Sequence, residues 1–177
     1  MDPVLARRLA HLEASRRRAL GVVEGVPHAV LNRPPAPRRW SALQVLEHVV
    51  SVESLTLGYI RKKMQAGAAL QTASLASRLR LLAVQATLAS PLRVRAPGIA
   101  GNVPGESELP QLCARWDEVR VSLEELAGSF PPELLDRLVF RHPLVGRMTF
   151  AHALGTLEAH LDHHIPQVER AVTRLNA

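Results

Sequence analysis

Apolar residues recur at i, i+3 and i+4 spacing through residues 2–24, 41–65 and 106–129, and residues 149–175 read as a further helix. A helix with one apolar stripe must bury that stripe against another element, so four such helices predict an all-α four-helix bundle. Composition agrees: the chain is 47% hydrophobic but only 3% aromatic, so its core must be built from Leu, Val and Ala, residues that suit packed helices. With 177 residues, one domain spanning 1–177 is expected, large enough to bury a core without disulfides or a structural metal.

Local signals set the helix limits. Asp2 can cap the first helix and Pro3 suits its first position, with Leu5, Leu9, Leu12, Ala19 and Val23 forming its stripe. Four prolines among residues 27–37 then predict a non-helical, extended linker. Ser41 followed by Gln44 is a capping box, and Trp40 can staple onto Val45. The helix that follows carries Leu43, Leu46, Val50, Leu57 and Ile60 and includes His48. Residues 67–105 read as a long crossover between the second and third long helices, with one helix at 72–89. The glycines of PGIAGNVPG do not make a phosphate loop, because no Gly-Lys-Ser/Thr ending and no preceding strand accompany them. Leu112, Trp116, Val119, Leu123 and Leu126 mark the third long helix. A helical turn at 131–136 and a brief extended segment in LVFRHPLVGRMTF precede the last helix.

Charge narrows the function. Residues 1–100 carry 15 Lys/Arg against 5 Asp/Glu and residues 101–177 carry 7 against 11, for a total of +6. A basic half can serve a polyanion, but the basic runs Arg16–Arg18 and Arg61–Lys63 are not interleaved with aromatics, which disfavours nucleic-acid binding. Cys113 is the only cysteine, so an intrachain disulfide and a cysteine-type zinc site are both excluded. No signal-peptide pattern opens the sequence and no apolar run is long enough to span a membrane, so a cytoplasmic protein is expected.

The chemistry concentrates in residues 148–170, which hold His152, His160, His163 and His164. Positions i and i+4 on a helix lie about 40° apart and one turn apart in height, so His160 and His164 can chelate one ion. His163 points about 100° away from His164 and is read as exposed or packed against a helix. His48, on the best-capped helix, is the candidate third ligand; His48, His160 and His164 would then hold a divalent metal with positions left open for water or substrate. Each imidazole needs an acceptor at its second nitrogen, for which Glu47, Glu53, Glu158 and Asp162 are the candidates nearest in sequence. Pro166 falls inside the last helix and is expected to bend it, which would re-aim His164. His142 and His152 are read as structural or surface residues and Cys113 as a small core residue. No Ser/His/Asp arrangement of recognisable spacing is present.

Two blocks, RWSALQVLEHVVSVES (39–54) and HPLVGRMTFAHALGTLEAHLDHHIPQVERAV (142–172), resemble the DinB/YfiT-like family of metalloenzymes. The shared pattern is Trp-Ser, then a histidine seven residues on; far downstream come His-Pro-x-x-Gly-x-Met-Thr and His-x-x-x-His-x-x-Gln, here ending His160, His164 and Gln167. The resemblance implies a four-helix bundle, a zinc or nickel ion on His48, His160 and His164, and a homodimer. It also implies a small-molecule substrate, with a low-molecular-weight thiol as co-substrate of a metal-dependent transferase. Metal-dependent hydrolysis, or a non-catalytic metal-binding role in the response to stress or DNA damage, are the alternatives.

Overall fold

The computed structural model describes residues 1–65, 70–73, 79, 105–143 and 146–176. Its first helix, α1 (Pro3–Val23), starts where the local signals put it: Asp2 Oδ1 accepts from the backbone N–H groups of Val4 (2.9 Å) and Leu5 (3.2 Å), and Pro3 occupies the first turn. Leu5, Leu9, Leu12, Ala19 and Val23 are all buried. The chain leaves the helix through Gly25 at φ +70°, a backbone state that glycine enters at little cost.

A one-turn helix, α2 (His28–Asn32), follows, which the proline count did not anticipate. Pro27 sits at its N-cap and the other prolines lie beyond its end, so none has to supply an N–H inside the turn. Leu31 anchors it in the core. Asn32 then bonds Ser107 in both directions, accepting from its N–H at 2.9 Å and donating to its carbonyl at 3.1 Å. That pair fixes the approach to the later helix from the side of α2.

The capping box forms as predicted on α3 (Ala42–Met64): Gln44 N–H donates to Ser41 Oγ (3.2 Å) and Ser41 N–H donates to Gln44 Oε1 (3.0 Å). The predicted stripe of Leu43, Leu46, Val50, Leu57 and Ile60 is buried throughout. The helix expected at 72–89 lies outside the described residues except at its start and at Leu79. At the start the structure corrects it: Thr72 is extended, bridging antiparallel to Arg137, with Ala73 N–H donating to the Asp136 carbonyl and Leu138 N–H to the Gln71 carbonyl, each at 2.8 Å. Two of these bonds go to partners more than sixty residues away, which no local pattern could reveal.

The third long helix, α4 (Leu109–Gly128), turns Leu112, Trp116, Val119, Leu123 and Leu126 inward. A 3₁₀ turn at Pro132–Leu134 leads to a short antiparallel hairpin, β1 (Phe140–His142) with β2 (Gly146–Met148), paired Phe140↔Met148, Arg141↔Arg147 and His142↔Gly146. The last helix, α5 (Phe150–Asn176), runs unbroken through Pro166. Helix α5 packs on α1 and α3, and α4 packs on α3 and α1, which makes α1, α3, α4 and α5 a four-helix bundle around one mainly aliphatic core. Among the described residues no helix is long and apolar enough to cross a membrane. Cys113 is only half-buried on α4, beside the core and not inside it.

A buried carboxylate–guanidinium pair interrupts that apolar interior. Glu53, on α3, is 1% exposed and takes hydrogen bonds from Trp116 Nε1 and Arg120 Nη2 of α4, both at 2.9 Å. Burial pushes the Glu53 carboxyl up to about 7 against the opposing pull of Arg120 and Trp116. Removing one member strands the other, so Glu53→Ala should lower stability by about 3–5 kcal/mol in chemical denaturation, with Glu53→Gln milder because it keeps an acceptor for Trp116. A carboxyl whose folded pKa lies above its unfolded value binds more protons when folded. Its contribution therefore falls as pH rises from 4.5 through about 7, and Glu53→Gln should flatten that part of the stability curve.

Candidate metal centre

The capping box does more than start α3. It fixes where the helix begins, and His48 follows two turns later with its side chain in the interior at 2% exposure. The half-exposed Trp40, just before the cap, lies against it, with ring centroids 5.0 Å apart and planes tilted by 48°. On α5, His160 and His164 present their rings edge-on to each other at 4.5 Å. Neighbouring helices thus bring together the three predicted residues, 112 positions apart in the case of His48 and His160.

Their Nε2 atoms meet. His160 Nε2 lies 3.1 Å from His48 Nε2 and 3.2 Å from His164 Nε2, and all three lie within 4.8 Å of one another, a group that could hold a metal ion. Two nitrogens each about 2.0–2.1 Å from one ion, at angles between octahedral and tetrahedral, would be separated by about 2.9–3.4 Å. The observed pair distances fall in that interval. Three imidazoles alone satisfy one another poorly, because a single Nε2 on His160 either donates or accepts and cannot complete a good hydrogen bond to both neighbours. A cation shared by three lone pairs resolves that conflict.

Protonation agrees. Burial, then His164, His48, His163 and His142, hold the His160 imidazolium well below its ordinary range. Burial, then His48 and His163, push His164 down to about 3, with a contact to Gln167 acting the other way. Both rings are therefore neutral near pH 7, as ligation requires.

The surroundings hold one surprise. None of the four carboxylates expected behind the ligands is found there. Glu53 serves Trp116 and Arg120; Glu47 pairs with Arg115; Glu158 accepts from Arg8 (3.0 Å) and meets His11; Asp162 accepts from Ser15 (2.7 Å) and Arg18. The buried Nδ1 atoms of His160 and His164 have no hydrogen-bond partner among the described residues. His163 stays outside the group, its ring edge-on to His164 at 5.3 Å, as its azimuth requires. His152 is outside it too. Pro166 is exposed, so the carbonyl it leaves unpaired one turn back, on exposed Asp162, faces the wet side of α5 and His164 keeps its place beside His160. His142 was not anticipated near the centre: half-buried on β1, it is close enough to His160 to depress its proton affinity. Its spacing gave no signal, because a hairpin and not a helix carries it in.

The fold and this geometry define a class, a four-helix bundle with three histidines converging between two of its helices. The chain belongs to the DinB superfamily, whose family profile matches residues 11–168 and so includes all three histidines. The crystal structure of TT2238, a four-helix bundle protein, superposes with a TM-score of 0.59 over 93% of this chain and 98% of that one at 24% identity, a likeness of fold. Comparison with curated proteins yields no match.

In metal-free protein the His164 ring should remain neutral down to about pH 3, read from its imidazole proton shifts by NMR; a midpoint near 6.5 would contradict the burial described above. Because the folded value is depressed, the unfolded chain binds the extra proton. Stability should therefore fall as pH drops from about 6.5 toward 3, and His164→Leu should lessen the fall.

Proposed function

We infer that this protein is a divalent-metal-dependent enzyme in which His48, His160 and His164 hold zinc or nickel. Its best-supported activity is transfer of a low-molecular-weight thiol to a small electrophilic substrate. The observation that carries this reading is that His160 Nε2 lies 3.1 Å from His48 Nε2 and 3.2 Å from His164 Nε2, with the carboxylates nearest in sequence all engaged elsewhere. Three neutral ligands leave a bound dication with its full charge and with open positions, so it would supply Lewis acidity and favour a thiolate over a thiol.

The protein's own contribution is positional. The capping box sets where α3 begins and hence where His48 stands, and Trp40 packs against that ring. Burial keeps His160 and His164 deprotonated. Hydrolysis, the competing chemistry, asks for a general base beside the attacking water. Glu47, Glu53, Glu158 and Asp162 are all tied to basic or hydroxyl partners, which favours the thiol route, where the nucleophile needs only to lose its proton. Membership of the superfamily further supports a homodimer as the working form.

Purified protein should carry about one zinc or nickel per chain by elemental analysis, and His160→Ala should abolish it; metal retained in that variant would refute the triad. Wild-type protein should also gain thermal stability on addition of either ion, by about 2.7 kcal/mol at a hundredfold excess over Kd, where His160→Ala gains none. With metal bound, consumption of a chloro-dinitroaromatic should depend on glutathione, bacillithiol or mycothiol. Turnover independent of any thiol would point to the hydrolase.

A further inference from the structure

Three phenylalanines, two tryptophans and one tyrosine are the only aromatic residues of the chain, and they divide evenly. Trp116, Phe130 and Phe150 are buried in the core. Trp40, Tyr59 and Phe140 keep surface open to solvent, and all three lie along the seam that holds the histidines. Trp40 meets the His48 ring at 5.0 Å. Further along α3, Tyr59 meets Phe140 edge-on at 5.4 Å. Met148, the cross-strand partner of Phe140, lies 3.7 Å from the hydroxyl of Thr156, one turn before His160.

On α3 the residues Val52, Leu55 and Tyr59 point within about 40° of the direction of His48 around the helix. Burial lessens along that line. His48 is inside and Val52 half-buried, while Leu55 is 53% and Tyr59 40% exposed. A buried candidate ligand thus stands at the inner end of an apolar strip that opens to solvent, with the half-exposed indole of Trp40 against its ring. Apolar and aromatic lining beside a few convergent polar groups is what small-molecule sites are made of.

The face of an indole is electron-rich, so it attracts either a cation or an electron-poor ring. Histidines that hold a divalent ion leave its charge undiminished, and that charge repels a cation from the neighbouring indole. The electron-poor ring remains, and such a ring is also the kind of electrophile that a thiolate attacks. We propose that Trp40 selects the electrophile: a planar, electron-poor aromatic ring stacks on its open face beside the three-histidine centre. The proposal rests on the thiol-transferase reading above for the reaction that the ring undergoes.

The two indole N–H groups give two cross-peaks in a heteronuclear NMR spectrum, and Trp116, fully buried with its Nε1 donating to Glu53, is the internal reference. Titration of zinc-loaded wild-type protein with nitrobenzene, a ring without a leaving group, should shift the Trp40 peak saturably and leave the Trp116 peak in place. Nitrocyclohexane, with the same polar group on a saturated ring, should bind about fivefold more weakly. In Trp40→Leu that preference should disappear while bound zinc per chain stays at the wild-type level. Should this variant lose its zinc, the wild-type peak shifts and the preference between the two rings decide. A Trp40 peak that stays still, two peaks that move together, equal binding of the two rings, or a preference that survives in zinc-loaded Trp40→Leu would overturn the proposal. A Trp40-dependent preference in protein that shows no thiol-dependent turnover would leave it standing and remove the transferase reading.

Discussion

Helix α5 carries two i, i+4 pairs that face opposite ways, and the rest of the structure depends on that opposition. The mid-directions of the pairs 158/162 and 160/164 lie about 160° apart around the helix. Glu158 and Asp162 are gripped by Arg8, His11, Ser15 and Arg18 of α1. With that side of the helix held against α1, His160 and His164 can only turn toward α3, where His48 waits. Individually these partly exposed ion pairs contribute little to stability. Their consequence is rotational: they fix the azimuth of α5 and with it the aim of two imidazoles.

The carboxylates near the histidines in sequence thus act as fasteners of the fold, and the imidazoles are left as a set of nitrogen donors without a carboxylate among them. That has a chemical corollary. A site built from neutral nitrogen donors does not dilute the charge of an ion it holds, and low dielectric around it strengthens whatever electrostatic effect that charge exerts on a bound ligand. The same interior keeps its most deeply buried carboxylate, Glu53, away from the histidines by pairing it with Arg120 and Trp116.

Much of this was legible in the residues. Helix limits agreed to within a few positions wherever a cap marked them, as at Asp2 and at Ser41 with Gln44, because caps are local hydrogen-bonding chemistry. His48, His160 and His164 could be nominated from spacing together with the resemblance of two short blocks, and the structure brings all three to one point. What the sequence concealed depends on distant partners. Thr72 is extended because Arg137 pairs with it, α2 forms because Leu31 has a core to enter, and the inward carboxylates are assigned by whichever basic residue faces them. His142 was hidden for the same reason, since only the packing of Phe140 and Met148 shows where the hairpin lies. Pro166 reads in isolation as a disruption, and the exposed side of α5 absorbs it.

The central claim is that His48, His160 and His164 share one divalent ion and leave part of its coordination sphere open. X-ray absorption at the zinc or nickel edge of the purified protein tests it most directly. The account predicts three imidazole nitrogens at about 2.0–2.1 Å, with their outer-ring scattering, and the remaining positions filled by light exchangeable atoms that a thiol replaces with sulfur. A shell dominated by carboxylate oxygen, a fourth imidazole closing the site, or an imidazole shell that survives in His160→Ala would contradict it.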